Sequence, residues 1–78
     1  MQRRTLVTGA ASGIGRAIAG RLAGDGHKVL AVDLHPDPDG PGEPFEADLA
    51  TRAGNAAAVE AALERFGGLD AVVANAGF

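Results

Sequence analysis

Short apolar runs alternate along this chain with segments of helical period. Thr5-Leu6-Val7-Thr8, three of them β-branched and stopped by Gly9, predicts a short strand over Arg4 to Thr8. From Ile14 the period changes. Ile14, Ile18 and Leu22 recur every fourth position with Ala17 between them, while Arg16 and Arg21 fall on another side. That pattern predicts an amphipathic helix, which Gly24 or Gly26 can end in a left-handed cap. Val29-Leu30-Ala31-Val32 is continuously apolar, as suits a strand covered on both faces, and Asp33 sits at its carboxyl end. The next ten residues, LHPDPDGPGE, hold three prolines and two glycines and read as a loop. An extended piece, Pro44 to Asp48, follows. Thr51 or Asn55 can cap a second helix with Val59, Leu63 and Phe66 as its apolar stripe and Gly67-Gly68 at its end, and Leu69 to Ala74 reads as a last strand.

The order strand, helix, strand, strand, helix, strand implies an α/β fold with a parallel sheet and right-handed crossovers. Composition agrees with one small globular unit. Of 78 residues, 46% are hydrophobic and 22% charged, and many of the apolar ones are alanines. There is no cysteine, and two isolated histidines, His27 and His35, do not make a zinc site, so no metal is expected. The net charge of −3, with basic residues scattered and no aromatic among them, argues against nucleic acid as a partner. The apolar runs Val29–Val32 and Ala71–Ala74 are far short of the ~20 residues needed to cross a bilayer. Arg3-Arg4 lacks the apolar run of an export signal behind it, so the protein is expected to be cytoplasmic with no membrane partner.

The stretch TGAASGIG, Thr8 to Gly15, carries the candidate chemistry. In a turn from strand to helix, Gly9 permits a tight reversal, Gly13 lets a ligand approach the backbone, and Gly15 lets the helix lie close on the sheet. The first-turn amides and the positive pole of the helix then form an anion site, to which Ser12 can add a hydroxyl. A glycine-rich turn that merely joins a strand to a helix is the plain alternative. Its context favours a dinucleotide pyrophosphate, because the turn follows a strand, opens a helix and is followed by Asp33 roughly twenty residues on. Asp33 can accept from both hydroxyls of an adenosine ribose, whereas a 2′-phosphate there would meet a like charge. The window from Val29 to Thr51 holds six acids and no lysine or arginine. NAD is therefore expected over NADP. The alternative for Asp33 is a solvated strand end.

TGAASGIG, Asp33, Asp48-Leu49 and Asn75-Ala76-Gly77 together resemble the amino-terminal half of a short-chain dehydrogenase/reductase, and the resemblance covers the whole chain. It implies a Rossmann-type doubly wound sheet, of which this chain supplies about four strands. It further implies that Ser12, Gly13 and Ile14 contact the pyrophosphate side, Asp33 and Leu34 the adenosine ribose, and Asp48 and Leu49 the adenine. Asn75, Ala76 and Gly77 would line the adenosine-to-nicotinamide side of the cleft, and Thr8 would tie the first turn to the turn after the fourth strand. For Asp48 a helix-opening carboxylate is an equal alternative. Two features depart from the family pattern. Ala74 stands where the usual N-N-A-G has its first asparagine, and a proline-rich loop replaces the usual helix between the second and third strands.

Members of that family use a tyrosine, a lysine four residues later and a serine as catalytic residues. This chain has no tyrosine, its single lysine, Lys28, falls at the opposite end of a strand, and Ser12 lies in the phosphate turn, so no catalytic residue is assigned. Leu69 to Ala74 as a final strand would leave an apolar edge. The expectation is thus that residues 1–78 are the first part of a single NAD-binding domain whose remainder is absent. The parent would be an oxidoreductase that interconverts a small-molecule secondary alcohol and a ketone, homo-oligomeric when complete. Two alternatives stay open: a stand-alone dinucleotide-binding or sensing module without catalysis, and a scaffold that holds another anion such as a mononucleotide.

Overall fold

The computed structural model describes residues 2–75. Its elements are β1 (Arg4–Thr8), α1 (Gly13–Gly24), β2 (Lys28–Asp33), β3 (Glu43–Glu46), α2 (Arg52–Phe66) and β4 (Ala71–Val73). The strands form one parallel sheet in the order β3-β2-β1-β4. Val7, Ala31 and Val29 pack with Ala19 of α1 on one face, while Leu6, Leu30 and Val32 pack with Ala58, Ala61 and Ala62 of α2 on the other. The helices thus cover opposite faces, which is the doubly wound arrangement. Continuous apolar strands are the sequence counterpart of a sheet buried on both sides.

The helix boundaries follow local chemistry. Ser12 precedes α1 with extended backbone and no side-chain cap bond. Gly26, at φ 88, closes α1, with its N–H donated to the Ala23 carbonyl and that of His27 to Leu22. Thr51, not Asn55, caps α2 by accepting the Gly54 N–H at 2.9 Å. Asn55 instead donates its side-chain amide to the Leu49 and Thr51 carbonyls. Pro44 falls in β3, at the sheet's edge, where its missing donor matters least.

Both helices are turned relative to their expected apolar stripes. Ile14 is 71% exposed, and α1 buries Gly15 and Ala19 instead, flanked by Ile18 and Leu22. In α2, Ala58, Ala61 and Ala62 are buried, whereas Val59 and Leu63 are 39% and 49% exposed. Phe66 alone of that stripe packs on the core. The reason is steric: a helix presenting alanine and glycine approaches the sheet closely, so its larger side chains are displaced to the flanks. β4 is shorter than the expected Leu69–Ala74, and β3 ends at Glu46, so that Asp48 lies beyond it.

Arg4 and Asp70 join β1 to the approach of β4. The Arg4 N–H and Nε both donate to Asp70 Oδ2, at 2.8 and 3.0 Å, and Nη2 donates to Oδ1 at 3.1 Å. These hydrogen bonds, backed by the Arg4 charge, pull the Asp70 carboxyl from 3.8 down to about 2. A depressed native value means the contribution is complete above pH 4 and fades as pH falls toward 2. The stability difference between wild type and Asp70→Asn, measured by urea unfolding, is therefore expected to be constant above pH 5 and to shrink below pH 4. Thr51→Ala, which removes the cap of α2, is expected to lower stability by about 1 kcal/mol in the same assay.

Candidate functional site

Strand order fixes where a ligand can sit. The strand order reverses between β1 and β4, with α1 on one face of the sheet and α2 on the other, and in open α/β sheets the crevice at such a point, beyond the carboxyl ends of the strands, is the usual binding place. The turn from Gly9 to Ser12 follows β1 there, and Asn75 follows β4.

Three features shape the crevice. Gly9 and Gly13 have φ of 65 and 60, the left-handed region in which a side chain is strained. Gly15 is buried, and a Cβ there would overlap the Gly9 carbonyl oxygen and stand 2.6 Å from Asn75 Nδ2. Its lack of a side chain is therefore what lets the first turn of α1 meet both the β1 turn and the β4 end. Thr8 braces the same place: its hydroxyl donates to the Val73 carbonyl at 3.3 Å and accepts the Asn75 N–H at 2.8 Å. This is the tie that the resemblance implied.

The amides opening α1 have no acceptor within the helix, and its first turn carries no acidic residue, so the end favours an anion. Asp33 closes the site from β2. Its Oδ2 accepts the Ala11 N–H and its Oδ1 the His35 N–H, each at 3.1 Å, which fixes the carboxylate against the glycine turn. Each oxygen keeps a lone pair for a further donor, as the hydroxyls of a ribose require. Sequence reading missed this brace, since a backbone amide leaves no signature in residue type.

The other predicted residues are distributed unevenly. Ser12, Ile14 and Leu34 are exposed at the rim. Asp48 accepts the Ala50 N–H at 3.0 Å in the turn that precedes α2, while Leu49 is half-buried against the α2-side core. Asn75 reaches Gly15, and Ala76 and Gly77 lie outside the described residues. The acidic window after β2 also gains a cation that its sequence lacks: Arg16 of α1 donates to Asp37 at 2.5 Å and holds the Asp37 carboxyl below its usual value. Two surface hollows lie elsewhere, one between Phe45 and α2 and one at Gln2–Arg4 beside Asp70, and neither is lined by the glycine turn. Among the described residues no helix is long and apolar enough to cross a membrane.

The short chain dehydrogenase family profile matches residues 3–78. The chain belongs to the short-chain dehydrogenase family. It is 37% identical over 89 residues to glucose 1-dehydrogenase 2 of Bacillus subtilis, an alignment covering 97% of this chain and 34% of that protein. To D-threitol dehydrogenase of Mycolicibacterium smegmatis it is 40% identical over 83 residues, covering 92% and 32%. The ligand-free aldohexose dehydrogenase of Thermoplasma acidophilum superposes with a TM-score of 0.91 at 31% identity, over 99% of this chain and 30% of that one. The chain thus spans about a third of the length of the curated relatives it matches.

Gly13 and Gly15 should respond differently to alanine. Gly15→Ala forces backbone apart and is expected to lose about 1–3 kcal/mol. Gly13→Ala meets open space and is expected to lose only the ~1 kcal/mol of a left-handed residue. Urea unfolding of both variants checks the order.

Proposed function

We propose that this chain is the NAD-binding first part of a larger short-chain dehydrogenase domain, and that the complete protein interconverts a secondary alcohol and a ketone. The observation that carries the reading is the Asp33 carboxylate held by the Ala11 N–H against the amide-lined start of α1. That carboxylate is read as the ribose acceptor and the neighbouring amides as the pyrophosphate site. In this reading the amides of Ser12, Gly13 and Ile14 hold the pyrophosphate, Asp33 and Leu34 the ribose, and Asp48 and Leu49 the adenine. Asn75, Ala76 and Gly77 would line the adenosine-to-nicotinamide side of the cleft, and Gly9 and Gly15 give the backbone its approach. Bound NAD supplies the hydride acceptor. In this reading this chain's own residues bind and orient it, and no catalytic role is assigned to them.

The dehydrogenase names of the relatives, for glucose and D-threitol, support an alcohol and carbonyl couple. NAD rather than NADP is favoured because a 2′-phosphate would face Asp33, while the Arg16 charge is engaged by Asp37. A cytoplasmic, homo-oligomeric parent belongs to the same proposal.

Fluorescence titration of the chain tests it. NADH is expected to bind at least tenfold more tightly than NADPH, and Asp33→Ala to weaken NADH about tenfold or more, as loss of charge-assisted hydrogen bonds implies. Equal affinity for both dinucleotides, or an Asp33→Ala variant with undiminished NADH binding, would remove the reading.

A further inference from the structure

The irregular segment between β2 and β3 lies against α1 at a telling place. Because Glu43 pairs with Leu30 and Glu46 with Asp33, this segment must return from the carboxyl end of β2 toward the other end of the sheet. It does so without a helix. Its Pro41 lies beside Gly20 and its Gly40 beside the Arg16 guanidinium, so the path follows the flank of α1. Arg16 Nη1 donates to Asp37 Oδ2, and among the described residues this is the one ion pair between α1 and the segment. Asp37 is prepared for the contact by its own turn. Its other carboxylate oxygen accepts the Asp39 N–H at 2.9 Å, and its carbonyl accepts the Gly40 N–H at 3.0 Å.

Both partners adjoin the candidate site without entering it: Arg16 directly follows Gly15, and Asp37 comes shortly after Asp33 and Leu34. We infer that Arg16 and Asp37 are positioning residues for the dinucleotide, whose ion pair clamps the segment onto α1 and so sets the direction in which Asp33 and Leu34 leave β2. This rests on the NAD reading above. Exposed ion pairs seldom do much for global stability. Here the segment carries Pro36, Pro38 and Pro41, whose φ angles are already fixed, so a single anchor removes most of its remaining freedom. The clamp stands where a short-chain dehydrogenase commonly has a helix.

A purely electrostatic role makes an opposite forecast. If charge alone mattered, Arg16 would attract the diphosphate and Asp37 would repel it, so Arg16→Ala would weaken NADH while Asp37→Ala would tighten it. The clamp requires both to weaken it.

NADH titration of wild type, Arg16→Ala, Asp37→Ala and the double variant decides between them, with thermal unfolding of each followed by circular dichroism. The expected result is a threefold to tenfold weakening in each single variant, no further loss in the double variant, recovery to within about twofold in Arg16→Lys, and nearly unchanged unfolding midpoints. Tighter NADH binding by Asp37→Ala, additive losses in the double variant, or variants indistinguishable from wild type would each overturn the clamp. So would losses that merely track a fall in midpoint. A wild-type chain that binds no NADH would instead sink the NAD reading itself, so the two failures are separable.

Discussion

The structure depends on one close approach, that of the first turn of α1 to the turn leaving β1. It is permitted because Gly15 has no Cβ to strike the Gly9 carbonyl. Once α1 starts there, its unsatisfied amides open beyond the carboxyl edge of the sheet, at the point where β1 and β4 diverge. The Thr8 hydroxyl holds β4's end to the same spot through Val73 and Asn75, and Asp33 holds the turn from the β2 side through Ala11. Three strands therefore converge on one helix terminus. The geometry of the candidate anion site and the rigidity that preserves it come from the same contacts.

The core is built to allow that approach. Ala19 on one face and Ala58, Ala61 and Ala62 on the other bring both helices close to the sheet, whose own fully buried residues are Leu6, Val7, Leu30 and Val32. Small helix residues against β-branched and leucine strand residues let the layers pack closely. The consequence for the flanks is exposure. Val59 and Leu63 on α2 are open, and so is Val72, which neighbours Leu6 in register on the α2 side of the sheet.

Much of this was legible before any coordinates. A β-branched run stopped by Gly9 marked β1, a continuous apolar run marked β2, the prolines marked the connection to β3, and the Thr8–Gly15 spacing marked the candidate site, because strand burial, proline geometry and backbone approach each demand particular residue types. Helix orientation was less legible. A periodicity count weights Ile14, Val59 and Leu63 above glycine and alanine, whereas close packing selects the small residues and turns the larger ones outward. The Arg16–Asp37 pair was hidden for a different reason, since the partners are 21 positions apart and meet only after the loop folds back along α1. Asp48 carried two readings in sequence, and its carboxylate accepting the Ala50 N–H in the turn before α2 is compatible with both.

The most direct check on the central claim is a titration of 15N-labelled chain with NADH, followed amide by amide. An anion seated on the start of α1 should move the Ser12, Gly13, Ile14 and Gly15 resonances first and furthest, with Ala11 and His35 responding through Asp33. Shifts concentrated in the hollow between Phe45 and α2, or no shifts at the glycine turn at saturating NADH, would contradict the account.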